Sequence, residues 1–163
     1  MGTMNVTIRK AEPRDVPRML ELVLELATFE KEPDAVTVTE AHMLDAGFGK
    51  QPVWWGWVAV DEAERILGIA ICYERYSTWR GRVGYLEDIV VSEAARGHGI
   101  GEQLFKACAK ECVRRGYHHL TWQVLDWNDG AIRFYERLGA DLDGQWLNGR
   151  LSAAQLQRTA EGA

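Results

Sequence analysis

The sequence predicts an α/β fold, a mixed sheet with helices on its faces, and three observations carry that reading. Short runs of alternating apolar and polar residues interleave along the chain with stripes near the 3.6-residue period of a helix. The 163 residues are the size of one domain, and 47% hydrophobic with 26% charged residues is a globular composition. No repeat, linker or low-complexity tract interrupts the pattern. A single domain over residues 4–163 is the expectation, with Met1-Gly2-Thr3 read as a leftover ahead of a natural start at Met4.

The elements follow in order. Val6 to Lys10 alternates as a first strand. Pro13-Arg14-Asp15 opens a helix whose apolar stripe is Val16, Met19, Leu20, Val23, Leu24 and Leu26-Ala27, ending at Glu30 to Pro33. Thr39 reads as the N-cap of a short helix to about Ala46, stopped by Gly47-Phe48-Gly49. Trp54 to Val60 and Arg65 to Tyr76 are strands joined by the polar turn 61–64, and Val83 to Val91 is a third. Leu104, Phe105, Cys108, Ala109, Cys112 and Val113 mark a long helix closed by Gly116. His119 to Leu125 reads as a strand, Asp129 to Leu138 as a helix closed by Gly139, and Trp146 to Leu151 as a last strand.

Charge and cysteine content exclude several classes. With 24 acidic against 19 basic residues the net charge is −5, which disfavours a nucleic-acid partner and suits a cationic one. No apolar run reaches the roughly 20 residues that span a bilayer, and no secretory leader opens the chain, so a cytoplasmic protein is expected. The three cysteines, Cys72, Cys108 and Cys112, fit a reducing compartment. Cys108 and Cys112 are spaced to share a helix face but lack a matching pair elsewhere, so they read as small buried hydrophobes and no metal is expected.

The sharpest signal is Arg96-Gly97-His98-Gly99-Ile100-Gly101, between a strand and a helix. Backbone N–H groups at a helix start bind anions, and glycines let a pyrophosphate approach the chain. It is not a P-loop, because Glu102-Gln103 follows instead of Lys-Ser/Thr. Nor is it the dinucleotide fingerprint, whose third glycine would fall at Glu102 or Leu104. A glycine turn without ligand is the competing reading. Some thirty residues on comes Asn128-Asp129-Gly130-Ala131-Ile132-Arg133-Phe134-Tyr135-Glu136-Arg137-Leu138-Gly139-Ala140. The two motifs, in this order and setting, resemble the GCN5-related N-acetyltransferases (GNAT). That resemblance implies a mostly antiparallel sheet with a splayed strand pair holding acetyl-CoA, and direct attack by an amine without a covalent enzyme intermediate.

Further stretches resemble the diamine acetyltransferase branch: Phe29-Glu30-Lys31, Asp45 to Gly49, Tyr76 to Arg82, Tyr85-Leu86-Glu87-Asp88-Ile89 and Val124 to Asn128. Ser77-Thr78-Trp79 departs from the Asp-Pro-Trp of polyamine enzymes and is similar to the thialysine-acetylating type. The departure removes one anionic contact to a long cation.

The chemistry then sets demands. A lysine-like ammonium of pKa about 10.4 is neutral about 0.04% of the time at pH 7, a cost of about 4.6 kcal/mol, so the enzyme must remove a proton. The resemblance makes Glu87 the base, acting through water. Adjacent Glu87 and Asp88 are costly in an apolar strand unless satisfied or functional, and alternation sends them to opposite faces. A purely structural carboxylate is the alternative for each. Tyr135 is implied as the acid that protonates the CoA thiolate, against a simple core tyrosine. Ile89, Val90 and Val91 are implied to pair with the pantetheine, Arg96 to Gly101 to hold the pyrophosphate, and Asn128 to lie beside the pantetheine with Ala131 as its small neighbour. Phe29, Glu30, Trp79, Glu87 and Asp88 are expected at the amine. Trp79 walls the pocket as a cation–π partner or serves packing instead. Trp54, Trp55 and Trp57 read as sheet packing or a dimer face, and His118-His119 as an exposed strand start.

Three functions compete: a small-amine acetyltransferase, an acetyltransferase for a protein lysine, N-terminus or aminoglycoside, and a non-catalytic acetyl-CoA sensor. Retention of Glu87 and Tyr135 together with the loop argues against the sensor. A homodimer is implied by the resemblance.

Overall fold

The computed structural model describes residues 4–162; the leftover assigned to residues 1–3 lies outside them. The chain divides into two compact units, one running to Gln123 and the other beginning at Val124.

The first unit is a sheet with helices on both faces. Its strands are β1 (Thr7–Lys10), β2 (Trp55–Val60), β3 (Ile66–Ser77), β4 (Gly81–Val91) and β5 (Leu120–Thr121), and its helices α1 (Val16–Phe29), α2 (Glu40–Phe48) and α3 (Ile100–Arg115). The five strands lie in sequence order, β1 to β4 antiparallel and β5 parallel to β4 after the α3 crossover. The local chemistry follows the sequence. Asp15 accepts from the Glu12 N–H at 2.7 Å ahead of α1, and the Thr39 hydroxyl caps α2 by accepting from the His42 N–H at 3.2 Å. Apolar side chains of the sheet alternate between two cores. Val58, Val60, Ile69, Ile71 and Val90 meet α1 and α2 residues Val16, Met19, Leu22 and Met43. Ala59, Ala70, Cys72 and Leu86 meet Ile100, Leu104 and Cys108 of α3.

The tryptophan cluster of β2 is divided by the same alternation. Trp54 donates its indole N–H to the Met43 carbonyl of α2 at 3.1 Å. Trp55 packs against the α3 core, where the Arg115 guanidinium lies 4.8 Å from its ring. The cysteines are free thiols in the interior, with the Cys72 and Cys108 sulfurs 3.5 Å apart. Burial pushes Cys112 up to about 11, which keeps it an unreactive thiol at neutral pH.

Glu111 ties the end of α3 to β1. Its side chain is 5% exposed, accepts from Arg114 at 2.6 Å and Arg115 at 3.0 Å, and faces Lys10 at 3.9 Å. The Arg114 hydrogen bond, foremost among these, holds the carboxyl down at about 2. A depressed carboxyl stabilises the fold above its unfolded value, about 4.3, and loses that contribution as pH falls towards 2. Glu111→Gln is expected to cost about 1.5–3 kcal/mol at pH 7, a melting-temperature drop of about 5 °C. Thermal melts should find the gap between the two proteins closing below pH 4; a gap constant with pH would contradict the assignment.

The second unit holds α4 (Asp129–Arg137) and α5 (Ala153–Ala160). Two sequence expectations are corrected here. The strand expected at 119–125 shrinks to Leu120–Thr121, and that expected at 146–151 is absent. Residues 141–151 are exposed throughout, and a run interrupted by Gly144 and Gly149 that joins no strand of the sheet among the described residues forms no ladder. Helix α5 went unforeseen, although Ser152 and Gln155 spell a capping box. The Ser152 hydroxyl accepts from the Gln155 N–H at 3.2 Å, and the Gln155 side chain accepts from the Ser152 N–H at 2.7 Å.

Candidate active site

Strand β4 carries the centre of the site, and its geometry turns on one extra residue. Cys72 of β3 stands opposite Leu86, and the next partner, Ile71, stands opposite Asp88. Glu87 has no counterpart and forms a β-bulge. The bulge moves the alternation by one, so Leu86 enters the α3 core while Val90 enters the core under α1. The expectation that alternation separates Glu87 from Asp88 therefore fails at this point. Burial, then the charge of Glu87, then that of Glu30 push the Asp88 carboxyl up to about 6. Burial alone raises Glu30. Three carboxylates from two elements thus share one neighbourhood. The fold contribution of neutral Asp88 is fully present below pH 4 and lost as pH rises through about 6.

Tyr73 and Tyr85, opposite one another across β3 and β4, stack with centroids 4.9 Å apart. Burial first, with the Glu87 charge among the lesser causes, raises both phenols. Nothing in the sequence marks Tyr73 as a neighbour of Glu87; the register that sets it beside Tyr85 does.

Phe29 and Glu30 are positioned by the way α1 ends. The Lys31 N–H bonds the Thr28 carbonyl at 3.1 Å and the Glu32 N–H bonds Ala27 at 2.9 Å, a Schellman stop with Lys31 itself left-handed at φ +66°. The Arg96 guanidinium lies 6.0 Å from the Phe29 ring centre, and its Nε donates to the Val91 carbonyl at 3.2 Å. Glu25 accepts from the Glu93 N–H at 3.2 Å, tying α1 to the segment after β4.

That segment leads into the glycine loop. Gly97 (φ +82°) and Gly99 (φ +76°) are left-handed, and Gly99 is the N-cap of α3. No atom lies within 4 Å of where a Cβ would stand on either. The loop is therefore an open cradle of backbone at a helix start, and its fit to an anionic pyrophosphate rests on that shape. Ile100 is buried beneath it, while Gly101 is already helical and His98 is half-buried. Strand β4 pairs with β5 only at Gly84 and Tyr85 among the described residues, so Ile89, Val90 and Val91 lie beyond the parallel pairing.

Trp79 sits on the three-residue hairpin 78–80, 84% exposed, with Gly81 left-handed behind it at φ +78°. The Ser77 hydroxyl holds the turn, accepting from the Trp79 and Arg80 N–H groups at 3.2 Å each. In the second unit, the Asn128 amide oxygen caps α4 by accepting from the Ala131 N–H at 3.2 Å. Tyr135 is 6% exposed and meets Phe134 edge-on at 5.1 Å.

Residues 17–140 match the acetyltransferase (GNAT) family, a span that takes in most of the first unit and the beginning of the second. The chain belongs to that family. The GNAT protein is 38% identical over 142 residues to thialysine N-epsilon-acetyltransferase of Bos taurus, covering 83% of this chain and 84% of that one. Against the Mus musculus protein of the same name it is 34% identical over 163 residues, 94% and 96% of the two chains. An integron cassette protein from V. cholerae superposes with a TM-score of 0.78 at 24% identity, over 97% and 99% of the chains. The mixed five-stranded sheet with its flanking helices is accordingly the GNAT fold, and the protein is an N-acetyltransferase. Among the described residues no helix is long and apolar enough to cross a membrane.

Proposed function

We propose that this GNAT enzyme transfers the acetyl group of acetyl-CoA to a primary amine of a small cation of the thialysine or diamine class. The observation that carries this reading is the bulge in β4, which sets Glu87 and Asp88 on the strand that leads into the glycine cradle, within electrostatic reach of Glu30 at the end of α1. An acidic pocket recognises an ammonium, and an anion cradle recognises a nucleotide-bearing cosubstrate. The thialysine acetyltransferases among the relatives support the substrate class.

In this proposal Arg96, Gly97, His98, Gly99, Ile100 and Gly101 hold the pyrophosphate through the backbone, and Ile89, Val90, Val91, Asn128 and Ala131 hold the pantetheine. The cosubstrate supplies an acetyl thioester. Glu30 and Asp88 hold the ammonium with Phe29 and Trp79 about it, and Glu87 takes one of its protons through water. The amine nitrogen forms its bond to the acetyl carbon as the carbon–sulfur bond breaks, and the Tyr135 hydroxyl gives its proton to the sulfur. A thiol of pKa about 8.5 is a tolerable leaving group even without that proton. We also infer a homodimer in the cytoplasm, the latter supported by the free thiols.

The test is thiol release from acetyl-CoA with thialysine, lysine, putrescine, spermidine, spermine, a lysine peptide and an aminoglycoside. Thialysine is expected to turn over fastest. A peptide or aminoglycoside ahead of it would replace the substrate class. Ser77→Asp adds a charge while keeping an oxygen that can accept from the Trp79 and Arg80 N–H groups. It is expected to raise spermidine turnover relative to thialysine by about tenfold, the worth of one charge-assisted contact. An unchanged ratio would remove position 77 from specificity.

A further inference from the structure

We infer a second anion site, built by arginines at the start of α1 and the β2–β3 turn and separate from the glycine cradle. An open cleft of about 740 Å³ there is lined by Arg9, Arg14, Arg18 and Arg65 together with Asp15 and Glu64 among others. Asp15 is spoken for: it takes a two-point bond from Arg9 at 2.8 and 2.9 Å and the Glu12 N–H at 2.7 Å. The Arg65 guanidinium is held by Asp61 at 2.7 Å. Arg14 bonds Glu12 at 2.6 Å, and Arg18 bonds Glu21 at 2.9 Å. Each of those two forks keeps further N–H groups beyond the bond it makes.

The decisive atom is the Nε of Arg9. It is shielded from solvent and has no hydrogen-bond partner, an expensive condition for a charged donor. The Glu64 carboxylate lies 3.8 Å from Arg9 Nε and 3.9 Å from an Arg14 nitrogen. These are ion-pair distances, too long for hydrogen bonds. Glu64 itself stands in the left-handed region at φ +60°, in a turn position that favours glycine. A carboxylate that stands over these donors without hydrogen-bonding them is a weak internal occupant. An anion with several oxygens reaches Arg9 and Arg14 together once Glu64 swings out, and Arg–oxyanion forks reward that geometry. The chemistry that fits is a small multivalent phosphate, of the diphosphate class.

Calorimetry with inorganic diphosphate, on protein already saturated with CoA to cover the glycine cradle, tests this. Binding is expected, about tenfold weaker in Arg14→Gln and several-fold tighter in Glu64→Gln, the first being the loss of one charge-assisted hydrogen bond. Both side chains are more than half exposed, 64% and 63%, so neither variant endangers the fold. Binding of ADP as tight as diphosphate assigns the site to a nucleotide tail, and tighter diphosphate assigns it to the free ion; either supports the proposal. Heat that vanishes on CoA saturation, or that ignores both substitutions, overturns it. If CoA fails to bind at all, the cradle reading fails, and the response to Arg14 and Glu64 still decides this one.

Discussion

Glu87→Gln is expected to lower kcat/KM for the amine by about 10²–10⁴-fold at pH 7, the usual contribution of a positioned base. The loss should shrink as pH approaches the amine's own pKa, because free amine then needs no base. Glutamine keeps the size of the side chain and leaves the bulge between Leu86 and Asp88 intact, so the charge alone is removed. A second consequence separates this role from a structural one. Asp88 is pushed up to about 6 by burial first and by Glu87 second. With Glu87 neutralised, the acidic limb governed by Asp88 should move to lower pH. The sign follows from repulsion: removing a neighbouring negative charge makes a carboxyl easier to ionise. Thiol-release profiles from about pH 5.5 to 10 measure both effects. Equal loss at every pH would remove Glu87 as the base, and an unmoved acidic limb would remove the coupling.

Gly99→Val is expected to weaken CoA binding by about a hundredfold or more, the equivalent of one or two charge-assisted hydrogen bonds. Gly99 has φ +76°, and a Cβ on it would meet no protein atom within 4 Å. The Cβ therefore enters open space. The substitution does strain the backbone, since a β-branched residue is a poor occupant of the left-handed region, and about 1–2 kcal/mol of stability should be lost with it. Melting temperature and CoA affinity, measured on the same protein, divide the two effects. A lowered melting temperature with unchanged CoA affinity would leave the glycine needed for the turn and strip the loop of its ligand.

Much of the fold was legible because its signals are local. Thr39 caps α2 through the His42 N–H as its residue type requires. The glycines at 97, 99 and 116 stand where the chain must turn left-handed. The strand runs of β2, β3 and β4 lie within two residues of where alternation put their ends. The errors are also physical. The run 146–151 has strand-forming residues but joins no strand of the sheet among the described residues, and a strand is stable only through its neighbour. The capping box at Ser152 and Gln155 is a local signal that marks the start of α5.

The site divides along the same line. Residue types and order, read with their resemblance to a family, suffice to nominate Glu87, Asp88, Glu30 and the glycine loop, because carboxylates in an apolar strand and glycines before a helix carry their meaning in sequence. How those groups act on one another is a matter of register. A bulge is the difference between two strands' residue counts, so neither strand alone encodes it, and only the pairing of Cys72 with Leu86 and Ile71 with Asp88 reveals that Glu87 is the extra residue. Tyr73 beside Tyr85 is likewise set by the register of the β3–β4 hairpin, and Glu64 over Arg9 is a contact between segments far apart along the chain. The sequence by itself determined most of the elements and, through its motifs, the family. The tertiary structure decided which charges meet, because electrostatic coupling depends on distance through space and burial, and neither is written in the order of residues.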